Sequence, residues 1–184
     1  MPLSSLDANA ALIVIDMQKG IVALPTAHPI GGVVANVAAL CRAFRARGLP
    51  VVLVNVAGRA PGRVEASFNF TPPPDWTDLI PELERQPGDE TVTKMNVGAF
   101  YGTGLERILR RRGVTQVFMA GVATASGVEA TARQAYDHGY NVVLVTDAMT
   151  DLDADMHRHA VEKVFPRIGE RSLTAEVTGR LAAA

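Results

Sequence analysis

The chain has 184 residues, of which 48% are hydrophobic and 20% charged, and its net charge is -1. That length suits one domain with a large core, residues 1–184, and that charge gives neither nucleic acid nor an anionic membrane surface anything to attract. The one cysteine, Cys41, excludes an intramolecular disulfide. The opening MPLSSLDANA has no basic, apolar leader and no run is long enough to span a bilayer, so the expectation is a cytoplasmic protein.

Ala11 to Ile15 is an unbroken apolar run, the pattern of a strand covered on both faces and hence of a parallel sheet. Asp16 follows it directly. A carboxylate there stands at the mouth of the sheet, where it either serves a site or caps a turn. Ile21 to Ile30, with Pro25 and Pro29, reads as a loop. Val33, Val37, Leu40, Cys41 and Phe44 recur at helical spacing until Gly48 stops the run. Cys41 falls on that helix as a small core residue. Val51 to Val54 is a second buried strand. Gly58 to Pro74 is long and broken by glycine and proline, and loops of that kind serve as lids or specificity loops. It carries Arg59, Arg63, Phe68 and Phe70, which either meet an anionic or aromatic ligand or are simply exposed. Asp75 to Leu83 suggests a short helix broken near Pro81.

Glu90 to Lys94 alternates weakly, as a short strand that ends in Lys94. Asn96, Gly98, Phe100 and Gly102 follow as a loop. Thr103 reads as the N-cap of a helix from Leu105 to Arg112, whose basic end suits the helix dipole. The stretch Val114 to Asp147 then organises the chain. It offers a strand (Gln116 to Ala120), a turn of small residues from Gly121 to Gly127, a helix (Val128 to His138) stopped by Gly139, and a strand (Val142 to Val145). That order is a βαβ unit. Ligands collect where strand ends feed helix N-termini, and small residues let a substrate approach the backbone. The same residues also permit close helix–strand packing. Asp153 reads as the cap of a helix from Ala154 to Val164, Ile168 belongs to a last short strand, and Thr174 caps a helix from Ala175 to Leu181. Alternating strands and helices imply an α/β fold, a three-layer sandwich around a mostly parallel sheet.

Three features end neighbouring strands: Asp16, Lys94 and the turn at Ala123 to Gly127. An Asp and a Lys side by side hold each other's charge, and a carboxylate so placed can move a proton to or from substrate or water. The turn can donate backbone N–H bonds to developing negative charge. Such a pair is also a common structural ion pair.

Four motifs sharpen the reading: IDMQKG (Ile15 to Gly20), TKMNVGAFYGTGLERIL (Thr93 to Leu109), AGVATASGVEATARQA (Ala120 to Ala135) and TDAMTD (Thr146 to Asp151). In this order, over about Ala11 to Ser172, the chain resembles the isochorismatase-like hydrolase superfamily. The resemblance implies a Rossmann-like sheet of about six strands. Most members cut amides with an Asp–Lys–Cys triad. Asp16 matches the family Asp, Lys94 the family Lys, and the family Cys falls at Gly127. Val122, Ala123, Thr124 and Ser126 of the turn, with Phe100 of the loop after Lys94, are the candidate substrate-binding residues. The resemblance also implies a cis peptide near Val122-Ala123 and a homo-oligomer, a dimer or larger. Trp76, Phe68 and Phe70 either cover a neighbour's site or pack on their own domain.

Gly127 cannot form the family's thioester. True isochorismatases resemble the chain at this point and cleave a vinyl ether without a covalent intermediate. The family's site tyrosine, however, falls at Ala123, and its glutamine near Val56 and Ala57. No histidine follows the second strand in NVAGRAPGR, so neither a metal nor a cofactor is expected. The leading reading is a small-molecule hydrolase using Asp16 and Lys94 without a covalent intermediate, by isochorismatase-type ether hydrolysis or a related reaction. The alternatives are an amide (C–N) hydrolase with an unusual nucleophile such as Ser126, and an inactive family member that only binds a small molecule.

Overall fold

The computed structural model describes residues 3–65 and 71–183, so Phe68 and Phe70 lie outside the described residues. Six strands form one sheet: β1 (Ala10–Ile15), β2 (Val51–Val56), β3 (Glu90–Lys94), β4 (Gln116–Val122), β5 (Asn141–Thr150) and β6 (Glu170–Ser172). Their order is β3-β2-β1-β4-β5-β6, and every pairing is parallel. The chain winds outward from β1 through β2 to β3, then crosses back to β4 and winds outward the other way. That reversal opens a crevice above the C-terminal ends of β1 and β4.

Helices α1 (Lys19–Val22), α2 (Ile30–Ala46), α3 (Leu105–Arg111), α4 (Glu129–Asp137), α5 (Ala154–His159) and α6 (Thr174–Ala183) join and cover the strands. Alternation along each strand divides the core in two. On β1, Ala11, Ile13 and Ile15 enter one cluster, with Leu105 and Leu109 of α3 and Ala132 and Ala135 of α4. Ala10, Leu12 and Val14 enter the other, with Val37, Cys41 and Phe44 of α2 and Val177 and Leu181 of α6. A strand apolar on both faces requires a helical layer on each side, and this is the three-layer sandwich expected from the sequence. Among the described residues no helix is long and apolar enough to cross a membrane.

Several elements differ from the sequence pattern, each for a local reason. β5 runs on to Thr150 because its register with β4 slips: Met119 pairs with Leu144, but Gly121 pairs with Met149. The intervening residues bulge and bring Asp147 over α6, where its Oδ1 accepts from both the N–H and the hydroxyl of Thr174, each at 2.8 Å. Thr174 is therefore held by Asp147 as the first residue of α6 rather than capping it. Ile168 is not in a strand. Its N–H donates to the Phe165 carbonyl and closes a 3-10 turn, and β6 begins at Glu170. The segment 75–83 holds no α-helix, only a 3-10 turn at Pro81–Leu83, because Leu79 bridges to Gln18 and Ile80 donates to the Met17 carbonyl. The N-cap position of α3 is Gly104, while the Thr103 hydroxyl accepts from Leu105 N–H. The loop after β1 begins with the short helix α1. Trp76 lies on its own chain, its indole so close to Gly20 that a Cβ there would fall 1.9 Å from it.

Gly121 shows why β1 and β4 can meet at the crevice. Its φ is +121°, and a Cβ would lie 2.0 Å from the Ile15 carbonyl oxygen. Only glycine fits that conformation and that approach.

Candidate active site

β1 ends at Ile15, and Asp16 turns out of it with φ +51°. Aspartate tolerates this left-handed conformation better than a branched side chain does. Its N–H still donates to the Val54 carbonyl at 2.9 Å, which anchors the turn to the sheet. Lys94, the last residue of β3, reaches across β2. Its Nζ donates to Asp16 Oδ2 at 2.9 Å and to the Asn96 carbonyl at 3.2 Å. Asp16 is 5% exposed and Lys94 2%. Burial pushes the Asp16 carboxyl up to about 6, although the neighbouring ammonium pulls the other way. Asp16 Oδ1 is buried and has no hydrogen-bond partner among the described residues. The pair therefore presents an unengaged carboxyl oxygen on a group pushed well above the usual carboxylate range.

The third strand end supplies the cradle. The Val122-Ala123 peptide is cis. A π-type turn, Thr124–Val128, then leads into α4. Asp151, at the end of β5, holds this turn: its Oδ2 accepts from Ala125 N–H at 2.7 Å and its Oδ1 from Leu152 N–H at 2.8 Å. Behind the turn, the Thr124 hydroxyl meets His157 Nδ1 at 2.8 Å, and His157 sits edge-on to His28. Burial and the nearby His28 hold the His157 imidazole below its usual range. Residue 127 faces the acid–amine pair. A Cβ on Gly127 would lie 3.2 Å from Asp16 Oδ2 and 3.7 Å from Lys94 Nζ. A reacting atom in that space would touch both groups.

These groups line a cleft of about 370 Å³. Asp16, Lys94, Val122, Ala123, Ser126 and Gly127 all border it. Two other positions chosen from the sequence do not. Thr124 is fully buried against His157, and Phe100 packs into the core, stacked on His138 at 4.9 Å. Arg59 borders the cleft, and Arg63 is not among its lining residues. Asp151, the last residue of the TDAMTD motif, also lines the cleft without having been a candidate site residue, as does an apolar wall of Ile21, Leu24, Val56 and Leu152. For Asp151 a signal was present, because it follows a strand at the same edge of the sheet as Asp16 does. No cluster of three or more His, Cys, Asp or Glu side chains among the described residues is placed to hold a metal ion.

The comparisons with known proteins agree with this architecture. Residues 10–176 match the isochorismatase domain family. An uncharacterised isochorismatase family protein of Bacillus subtilis (strain 168), YwoC, is 39% identical over 176 residues, covering 91% of this chain and 92% of that protein. The structure of an isochorismatase family protein from Burkholderia thailandensis is 41% identical, with a TM-score of 0.87 over 97% of this chain and 98% of that one. The ureidoacrylate amidohydrolase RutB of Pseudomonas savastanoi pv. phaseolicola is 28% identical over 193 residues, covering 86% of this chain and 78% of that protein. A parallel six-stranded sheet, a matching domain over most of the chain and relatives of nearly equal length lead to one conclusion: the chain belongs to the isochorismatase family of hydrolases.

Proposed function

We propose that the chain hydrolyses a small molecule in this cleft through Asp16 and Lys94, without a covalent enzyme intermediate, as in isochorismatase-type ether hydrolysis. The observation that carries the reading is the face of Gly127. Residue 127, where a Cβ would stand 3.2 Å from Asp16 Oδ2 and 3.7 Å from Lys94 Nζ, carries no nucleophile, and the adjacent Ser126 is exposed on the turn. Burial pushes the Asp16 carboxyl up to about 6, so a minor fraction stays protonated at neutral pH and can act as the donor, where an ordinary carboxyl would be almost wholly ionised. In this mechanism Asp16 protonates the terminal carbon of an enol ether. Lys94 stabilises the carboxylate left behind and holds it in place. Water adds to the resulting oxocarbenium ion, the hemiketal collapses with cleavage of the C–O bond to the leaving alcohol, and the water-derived proton returns to Asp16.

A second reading is amide hydrolysis, favoured by the similarity to an amidohydrolase. With glycine at 127 the attacking group would be water, and Asp16 would act in its ionised form as the base. The pH dependence of kcat/KM separates the two. As proton donor, Asp16 gives a rate that falls as pH rises through about 6. As base, it gives a rate that rises through the same region. Turnover with no limb there would overturn both readings.

A further inference from the structure

We infer that Thr131, on α4, is a positioning residue that sets where Lys94 stands relative to Asp16 and Gly127. The inference deepens the proposed function by naming a residue that acts through Lys94. Thr131 is fully buried. Its hydroxyl donates to the Gly127 carbonyl at 2.6 Å and accepts from the Ala99 N–H at 3.1 Å. One helical turn later, Gln134 Oε1 accepts from the Phe100 N–H at 3.1 Å.

Ala99 and Phe100 are buried but belong to no strand or helix, so their N–H groups need partners from elsewhere. Two side chains of α4 supply them. The loop lies so close to the helix that a Cβ on Gly98 would fall 2.3 Å from Gln134 Oε1. The same loop holds Lys94, whose Nζ donates to the Asn96 carbonyl as well as to Asp16. A continuous path therefore runs from Gly127 through one hydroxyl to Ala99, along the loop to Asn96, and back to the ammonium. A helical threonine that only bonds back to its own helix does no more than satisfy itself. Thr131 also accepts from a distant segment, and its branched Cβ keeps the hydroxyl in few rotamers.

Valine keeps the shape of threonine and removes the hydroxyl. Thr131→Val leaves the Ala99 N–H buried and unpaired, a costly state that the loop relieves by moving, and Lys94 moves with it. Asp16 then loses part of the attraction that favours its ionised form. The test is a carbon-13 NMR titration of the Asp16 carboxyl in the full chain, assigned with Asp16→Asn and run without substrate. Its outcome is thus independent of whether the chain hydrolyses an ether, an amide or neither. The expected result is a midpoint raised by about half a pH unit or more in Thr131→Val and restored in Thr131→Ser. An unchanged midpoint in a folded Thr131→Val chain, or an equal shift in Thr131→Ser, would overturn the inference. If the valine variant does not fold, Gln134→Met removes the neighbouring anchor and keeps the Thr131 hydroxyl. It should raise the midpoint in the same direction, and no shift there overturns the inference equally.

Discussion

Replacing Asp16 by asparagine is expected to lower kcat/KM by about 10³-fold or more, the upper part of the range for losing a general acid or base. Asparagine keeps the size and one carbonyl oxygen of aspartate but has no proton to deliver at any working pH. The large effect follows from the surroundings. Asp16 Oδ1 is buried without a hydrogen-bond partner among the described residues, and no other carboxylate lining the cleft has such an oxygen. Asp151, the other acid lining the cleft, has both oxygens engaged by backbone N–H groups that hold the turn. The substitution also leaves the Lys94 ammonium buried without its counter-charge, which costs stability by about 3–5 kcal/mol. The comparison is therefore made well below the melting transition, with far-ultraviolet circular dichroism showing that the variant is folded. A folded Asp16→Asn chain that turns over substrate at the wild-type rate would remove Asp16 from the chemistry.

Gly127→Cys is expected to create a thiol that reacts with iodoacetamide at pH 7 about 10³ times faster than Cys41. Cys41 is fully buried in α2, and burial pushes its thiol up to about 12, so it is an internal reference for an inert cysteine. A side chain at 127 starts 3.7 Å from an ammonium and 3.2 Å from a carboxylate oxygen. The ammonium stabilises a thiolate and the carboxylate can take its proton. The new Cβ would also lie 3.0 Å from Ile15 Cγ2, so that side chain must give way by a few tenths of an ångström. The accompanying loss of stability should fall in the range of about 1–3 kcal/mol for added bulk at a packed site. Peptide mapping after alkylation reads the result. Modification at 127 no faster than at Cys41 in a folded chain would mean that residue 127 does not face the pair.

Much of this arrangement is readable in the sequence because it follows from local patterns. Ala11 to Ile15 is apolar throughout, and a carboxylate straight after it must emerge at the strand's end. The strand ending at Lys94 and the small-residue turn before Gly127 place two more groups at the same edge once all strands run parallel. What is not readable depends on contacts between distant segments. The bulge in β5 arises from its register with β4, and Thr174 meets Asp147 only because of that bulge. Phe100 looks like a ligand-facing aromatic until its loop docks on α4 and turns the ring toward His138. Thr124 lies on the cradle, yet its hydroxyl turns back to a histidine contributed by α5. Thr131 reads as an ordinary helix position, and only the folded chain brings the Ala99 N–H to its hydroxyl.

With glycine at 127, bond cleavage is proposed to proceed without any bond to the polypeptide. The most direct measurement is acid-quenched intact mass spectrometry of the wild-type chain during steady-state turnover. The substrate would come from a panel of enol ethers, isochorismate among them, and small amides. Only the unmodified mass is expected at every quench time. A population heavier by a fragment of the substrate, rising and falling with turnover, would contradict the proposal.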